Sequence, residues 1–145
     1  WDGGQRVPGI MSWPAKIPSG KTCDEMVTTM DLFPTLMNIA QVEADNISFD
    51  GMNIIELLKK PQSTILTERP LYFYARNGKP EAVRLGKWKL HITKTNGWNK
   101  DRDGEFPVSL YDLDEDVREQ KNVADQYPDI VKKLTSSISE FDEQL

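Results

Sequence analysis

The chain has 145 residues, 38% of them hydrophobic and 28% charged, with a formal net charge of −5, a balance that argues for a folded globular chain and against disorder. No Lys/Arg-rich run is available to neutralise phosphates, so nucleic-acid binding is not expected, and no apolar run is long enough to span a membrane. A single cysteine, Cys23, and a single histidine, His91, exclude an intrachain disulfide and any site built from several cysteines or histidines of this chain.

Residues 1–25 are rich in glycine and proline: Gly3-Gly4, Pro8-Gly9, Pro14, Pro18 and Gly20. Only Val7 to Trp13 has strand character, and its apolar residues do not alternate, as in a strand buried on both faces of a sheet. The sequence offers that strand no parallel neighbours. Such an orphan is expected to pair with another copy of the chain, to disorder, or to lie on the small domain formed by the later residues. Asp31 then precedes Leu32, Phe33, Leu36, Met37, Ile39 and Ala40. Asp is a good N-cap and Pro34 fits a first turn, which predicts a helix over 32–41. Ile54, Ile55, Leu57 and Leu58 predict a second, short helix over 53–60, stopped by Pro61.

From about residue 70 the period becomes two. Leu71 to Ala75 is aromatic and strand-like, and Asn77-Gly78 marks a turn. Glu81–Leu85 and Trp88–Thr93 flank Gly86-Lys87, which suits a type II′ hairpin because glycine supplies the positive φ. In the second arm Trp88, Leu90 and Ile92 share one face; Lys89, His91 and Thr93 share the other. Residues 94–107 read as a long exposed loop, and Ser109–Leu113 as a fourth strand. Asn122 is expected to cap a short turn. Ile130, Leu134, Ile138, Phe141 and Leu145 form the apolar stripe of a last helix, with Pro128 in its first turn, and the Trp88/Leu90/Ile92 face is its natural partner. The expected fold is α+β: a small four-stranded antiparallel sheet with a packed C-terminal helix.

Several motifs carry little. Ser19-Gly20-Lys21-Thr22 has Ala15 where a phosphate-binding loop needs its first glycine, and Pro18 breaks the run of backbone donors. Asn99, Asp101, Asp103 and Gly104 match the start of a calcium loop, but Leu110 stands where its bidentate Glu belongs. Asn46-Ile47-Ser48 is a glycosylation sequon, meaningful only in a secreted eukaryotic chain. Cys23 has no activating cation beside it and reads as an inert loop thiol. His91 reads as a surface or interface histidine, or as a substrate contact at the rim of a site completed by other residues. Trp98, Asn99, Lys100 and Arg102 offer the stacking and charge-assisted hydrogen bonds that a sugar or sulfate ester would need.

The segment Trp1-Asp2-Gly3-Gly4-Gln5-Arg6-Val7-Pro8, followed by Trp13-Pro14-Ala15-Lys16-Ile17, resembles the aromatic-acid-Gly-Gly-x-Arg-x-Pro signature of the arylsulfatase family. Met30-Asp31-Leu32-Phe33-Pro34-Thr35-Leu36 is similar to its Asp-x-x-Pro-Thr helix, and Phe49-Asp50-Gly51-Met52-Asn53 to the Asp-Gly that follows. Ala82-Val83-Arg84, with Gly86-Lys87-Trp88-Lys89-Leu90, resembles the C-terminal hairpin; Leu110-Tyr111-Asp112-Leu113 with Glu119 and Asn122 resembles the closing motif before the last helix. Five collinear pieces make the resemblance specific.

The resemblance implies a C-terminal piece of a sulfatase: residues 1–60 a remnant (one strand, two helices) of the large α/β catalytic domain, residues 65–145 the smaller C-terminal domain. It implies a parent that hydrolyses sulfate esters with calcium and a formylglycine made from Cys or Ser in a Cys/Ser-x-Pro-x-Arg motif. That motif and a sulfate-binding lysine are expected upstream of Trp1, so no catalytic residue, metal ligand or cofactor is expected in this chain, which should be inactive alone. Ser12-Trp13-Pro14-Ala15-Lys16 imitates the motif but has Lys16 for the Arg. His91, Trp98 and Arg102 are the implied substrate contacts. Gly3 and Gly4 would allow a tight turn with positive φ, and Arg6 would be fixed by Asp31 or Asp50. The implied partners are the catalytic portion of the same protein and a sulfated small molecule or sugar, with self-association through the orphan strand; the parent's compartment would be periplasmic, secreted or lysosomal. A phosphatase or phosphodiesterase of the same superfamily, or a standalone interaction module, are the alternatives.

Overall fold

Strands of period two exist only as halves of ladders, and from residue 70 onward each finds its partner in chain order. The computed structural model describes residues 2–43, 47–62, 68–75, 78–93 and 106–145. The chain forms two compact units, Pro8–Thr67 and, together, Trp1–Val7 with Glu68–Leu145.

In the second of these, β1 (Pro70–Tyr74), β2 (Pro80–Leu85), β3 (Trp88–His91) and β4 (Ser109–Asp112) make one antiparallel sheet in the order β1-β2-β3-β4. Between β2 and β3, Gly86 has φ +55° and Lys87 does not share the positive sign, as a type II′ turn requires. The register puts Leu90 opposite both Val83 and Leu110, and all three are fully buried. The last helix, α3 (Pro128–Asp142), lays Leu134 and Ile138 on them, with Ile130 and Val131 packed at the margin. Tyr72 stacks on Phe141 with ring centres 4.1 Å apart and shares a 2.9 Å hydrogen bond with Ser137. The predicted stripe holds as far as Phe141. Leu145 is a correction: it lies beyond the helix end and is exposed.

β4 is closed on its outer side by the chain that follows it. Asn122 Oδ1 accepts from the backbone N–H of Leu110 (3.0 Å) and of Ala124 (2.9 Å), and Val123 N–H donates to Leu110 O (2.9 Å). Asn122 thus ties the start of the turn Ala124–Gln126, whose N-cap position is Val123, to β4 and covers the outward backbone groups of Leu110.

The Pro8–Thr67 unit holds α1 (Leu32–Ala40) and α2 (Ile55–Lys59), both inside their predicted bounds. The predicted strand Val7–Trp13 is a correction: the segment is irregular, and Val7 and Ile10 are 78% and 94% exposed. Among the described residues it has no ladder to join, and an apolar run without one gains nothing from strand geometry. No helix of the described residues is long and apolar enough to cross a membrane.

Candidate functional site

The alternation in β3 sends Leu90 to the α3 side and Lys89 and His91 to the other face. That second face was expected to be a surface. It is buried instead: Lys89 is fully buried, His91 is 8% exposed, and their cross-strand neighbours Ala82, Ser109 and Tyr111 are buried as well. One carboxylate serves both bases. Lys89 Nζ lies 3.1 Å from Glu119 Oε1, and His91 Nε2 lies 2.6 Å from Glu119 Oε2. Lys89 also donates to Gln5 Oε1 at 3.3 Å and sits 5.2 Å from the ring centre of Phe73; the edge of Tyr111 and the ring of Phe106 flank His91.

Glu119 reaches this position from a turn, not from the sheet. Its φ is +54°, a left-handed conformation that costs a non-glycine residue roughly 1–2 kcal/mol. The turn is organised by Asp116, whose carboxylate accepts from the N–H groups of Gln120 and Lys121 (2.7 Å each) and whose carbonyl accepts from Glu119 N–H (3.0 Å). A strained backbone and a buried charge meet in one residue, the combination expected where a site or an anchor over-determines the chain. Sequence reasoning placed Glu119 in the closing motif without a role. The alternation Lys89-x-His91 puts two bases on one strand face, but nothing local to β3 says that an acid meets them there.

Burial of Tyr111 pushes its phenol ionisation above the ordinary value, and the carboxylates of Glu119 and Asp116 push the same way, against a hydrogen bond to Ser109 that lowers it. Tyr74 is shifted upward too, by burial first and by Asp142 second. A group whose folded pKa is raised contributes stability that is complete below the unfolded value and lost as pH rises through the folded one. Unfolding free energy is therefore expected to fall above about pH 10, where an unfolded tyrosine ionises. Tyr111→Phe should make that alkaline fall shallower in denaturant titrations between neutral and alkaline pH; an unchanged slope would remove Tyr111 from the account.

Among the described residues of the Pro8–Thr67 unit, the buried polar ones are Asp31 and Thr35. Asp31 was expected to cap α1 from outside. It closes the preceding 3-10 turn, Thr29–Asp31, instead, its Oδ2 accepting from Thr28 N–H (2.6 Å) and Thr28 Oγ1 (3.1 Å), because three residues separate it from Thr28 in the spacing of a capping box. Its other oxygen accepts from Met52 N–H at 2.8 Å, and Thr35 Oγ1, donating to Asp31 O, accepts from Ile54 N–H at 2.9 Å. Gly51 immediately precedes these bonds, so close to the turn before α1 that a Cβ there would stand 2.0 Å from the carbonyl oxygen of Met30. The stretch Gly51-Met52-Asn53-Ile54 is thus the docking segment for the start of α1.

Of the other residues singled out, Arg6 and Asp50 are exposed. Gly3 and Gly4 belong to a 3-10 turn, Asp2–Gly4, and correct the expectation of positive φ: neither has one, and a Cβ at either would meet nothing within 4 Å. Trp98 and Arg102, the calcium-loop match at 99–104 and the sequon asparagine Asn46 lie outside the described residues. Calcium takes six to eight oxygen ligands, and the described residues hold no group of three or more His, Cys, Asp or Glu that could bind a metal; at Glu119 the ammonium of Lys89 already occupies the carboxylate. Cys23, exposed and followed by Asp24 and Glu25, does not fit a formylglycine precursor either.

The family described as N-sulphoglucosamine sulphohydrolase, C-terminal, matches residues 1–144. The chain is 35% identical to N-acetylgalactosamine-6-sulfatase of Sus scrofa over 106 residues, 72% of this chain and 20% of that protein. It is 28% identical to arylsulfatase A of Bos taurus over 164 residues, 98% of this chain and 31% of the relative. It therefore spans between a fifth and a third of the length of these relatives. Among solved structures, Ps i-CgsB matches with a TM-score of 0.73 at 23% identity, covering 90% of this chain and 27% of its own. A protein solved in complex with its substrate D-glucosamine-2-N,6-O-disulfate matches with a TM-score of 0.64 at 20% identity, covering 91% and 27%.

Proposed function

This chain belongs to the sulfatase family, in its C-terminal part, and from that premise we propose that it is the C-terminal portion of an enzyme that hydrolyses sulfate esters, R–O–SO₃⁻ plus water giving R–OH plus hydrogen sulfate. The observation that carries the reading is the match over residues 1–144 in a chain spanning at most a third of the relatives compared above. Residues 1–60 continue the catalytic domain and 65–145 wall one side of the cleft. The nucleophile and the calcium ligands come from polypeptide outside these residues, so the chain alone is inactive. Export to a periplasmic, secreted or lysosomal compartment goes with the family.

Trp98 and Arg102 contact the sulfated ligand, a sugar by the company of relatives named for sulfated sugars, through stacking and charge-assisted hydrogen bonds. His91, a tenth of its side chain exposed and its ring held by Glu119, is the third contact, at the rim of the cleft. The test is an assay with an aryl sulfate and an aryl phosphate. Residues 1–145 alone should turn over neither, and the longer polypeptide should prefer the sulfate. In it, Arg102→Ala should raise KM by roughly 10-fold or more, the worth of a hydrogen bond to a charged group. Turnover by 1–145 would refute the proposal, and preference for the phosphate would move the protein to the phosphatases of the superfamily.

A further inference from the structure

Stability alone does not account for the Lys89–Glu119 pair. Replacing a buried ion pair by apolar side chains of similar volume is often neutral or stabilising. The same strands show that alternative on their other face, where Val83, Leu90 and Leu110 are fully buried against α3. The second face instead buries an ammonium, a carboxylate and an imidazole together. It takes the carboxylate from a residue whose backbone is held at φ +54°. Two unfavourable features at one position are the mark of a task beyond holding the fold.

An ionised carboxylate only accepts hydrogen bonds. At 2.6 Å from Glu119 Oε2, it is therefore Nε2 of His91 that carries a hydrogen and donates. That bond fixes the tautomer, and with the edge of Tyr111 and the ring of Phe106 beside it, the plane of the imidazole. Lys89 Nζ donates to the other oxygen, Oε1, at 3.1 Å, so the carboxylate is held at both ends. Gln5 Oε1, 3.3 Å from the same Nζ, fixes the ammonium from a second side. The ammonium also cancels the charge of Glu119. Without it, the face that carries His91 would present a buried negative charge to an anionic ester, and a poorly solvated like charge repels strongly.

We propose that Lys89 and Glu119 are positioning residues for the hydrolysis described above, acting through His91: Glu119 sets the tautomer and ring plane with which His91 meets the sulfated ligand, and Lys89 keeps the face beneath it free of net negative charge. The inference rests on the sulfatase reading for its substrate and on this chain's own geometry for the rest.

Glu119→Gln alone strands the ammonium, so the informative protein is Lys89→Met/Glu119→Gln, which removes both charges and keeps most of the volume. His91 is the only histidine of the chain, and the 145-residue chain therefore gives one imidazole signal in proton NMR. The parent's Nε2–H, bonded to a carboxylate, should lie downfield and exchange with water about tenfold or more slower than in the double variant. In the longer polypeptide the double variant should raise KM for an aryl sulfate about fivefold or more, with kcat within about twofold of the parent. His91→Gln should raise KM to a similar extent, and adding it to the double variant should change KM by less than about twofold, because all three act through one side chain. Equal imidazole exchange in parent and double variant would overturn the proposal. So would a parent-like KM in the double variant, or effects of the pair and of His91 that multiply, since the pair would then serve the fold alone. A longer polypeptide that preferred an aryl phosphate would refute the reading above; the imidazole signal does not depend on the ester and would still decide this one.

Discussion

Gly51→Ala is expected to release the Gly51–Ile54 segment from the start of α1 and to destabilise the Pro8–Thr67 unit by on the order of 4 kcal/mol. The methyl group would arrive 2.0 Å from Met30 O, 2.3 Å from Met30 C and 2.8 Å from the amide nitrogen of Asp31. All three are backbone atoms of the turn that leads into the helix, so no rotamer change can make room. Relief comes only by moving the segment away, and that move breaks two bonds at once: Met52 N–H to the Asp31 carboxylate at 2.8 Å and Ile54 N–H to Thr35 Oγ1 at 2.9 Å. A hydrogen bond to a charged group is worth about 1.5–3 kcal/mol, and a buried acceptor left unpaired adds its own penalty. Hydrogen exchange should show the amides of Met52 and Ile54 losing protection, while those of β3 and β4 keep theirs. Thr35→Val, which removes both hydrogen bonds of the hydroxyl but leaves the space unchanged, should cost less, about 2–3 kcal/mol. If Gly51→Ala unfolds in urea within about 1 kcal/mol of the parent, the close approach does not hold the segment.

The contrast between Gly51 and the Gly3-Gly4 pair says what a sequence can and cannot show. All three glycines lie in segments that carry the family resemblance. At Gly51 the reason is an approach of two backbones distant in sequence, and at Gly3 and Gly4 neither space nor φ demands glycine. Nothing local separates the cases. The sheet was readable because its signals are local: the period of two, the Gly86-Lys87 turn and the four-residue spacing in α3 each lie within one element. Its second face was not, because the burial of Lys89 and His91 depends on Glu119, which comes from a turn 28 residues beyond His91. Asp31 was misread for a related reason. Its side chain had two possible turns to serve, and the capping-box spacing to Thr28, with Met52 beyond, won over the helix that follows.

Removing the carboxylate of Glu119 is expected to be the most damaging change in the sheet unit. Lys89 and Glu119 have side chains that are 1% and 0% exposed, so solvent screening does little for either. In Glu119→Gln the backbone keeps its turn and the amide can still meet His91, but the ammonium of Lys89 is left buried without its counter-charge. Breaking one side of a buried pair typically costs about 3–5 kcal/mol, most of it the penalty of the stranded charge. That origin gives the prediction its second arm. Lys89→Met in the Glu119→Gln background removes the stranded charge and keeps most of the volume, so the double variant should regain at least half of the lost stability. Replacing such a pair by apolar groups is often neutral. Urea denaturation of the four proteins of the cycle measures this directly, as a coupling energy that should exceed about 1.5 kcal/mol. The salt dependence is a further check, because a buried pair is screened little and the coupling should survive an increase in ionic strength that would erase a surface bridge. Additivity of the two substitutions would mean that Lys89 finds its compensation elsewhere, in Gln5 and the ring of Phe73, and Glu119 would then be an anchor for His91 alone.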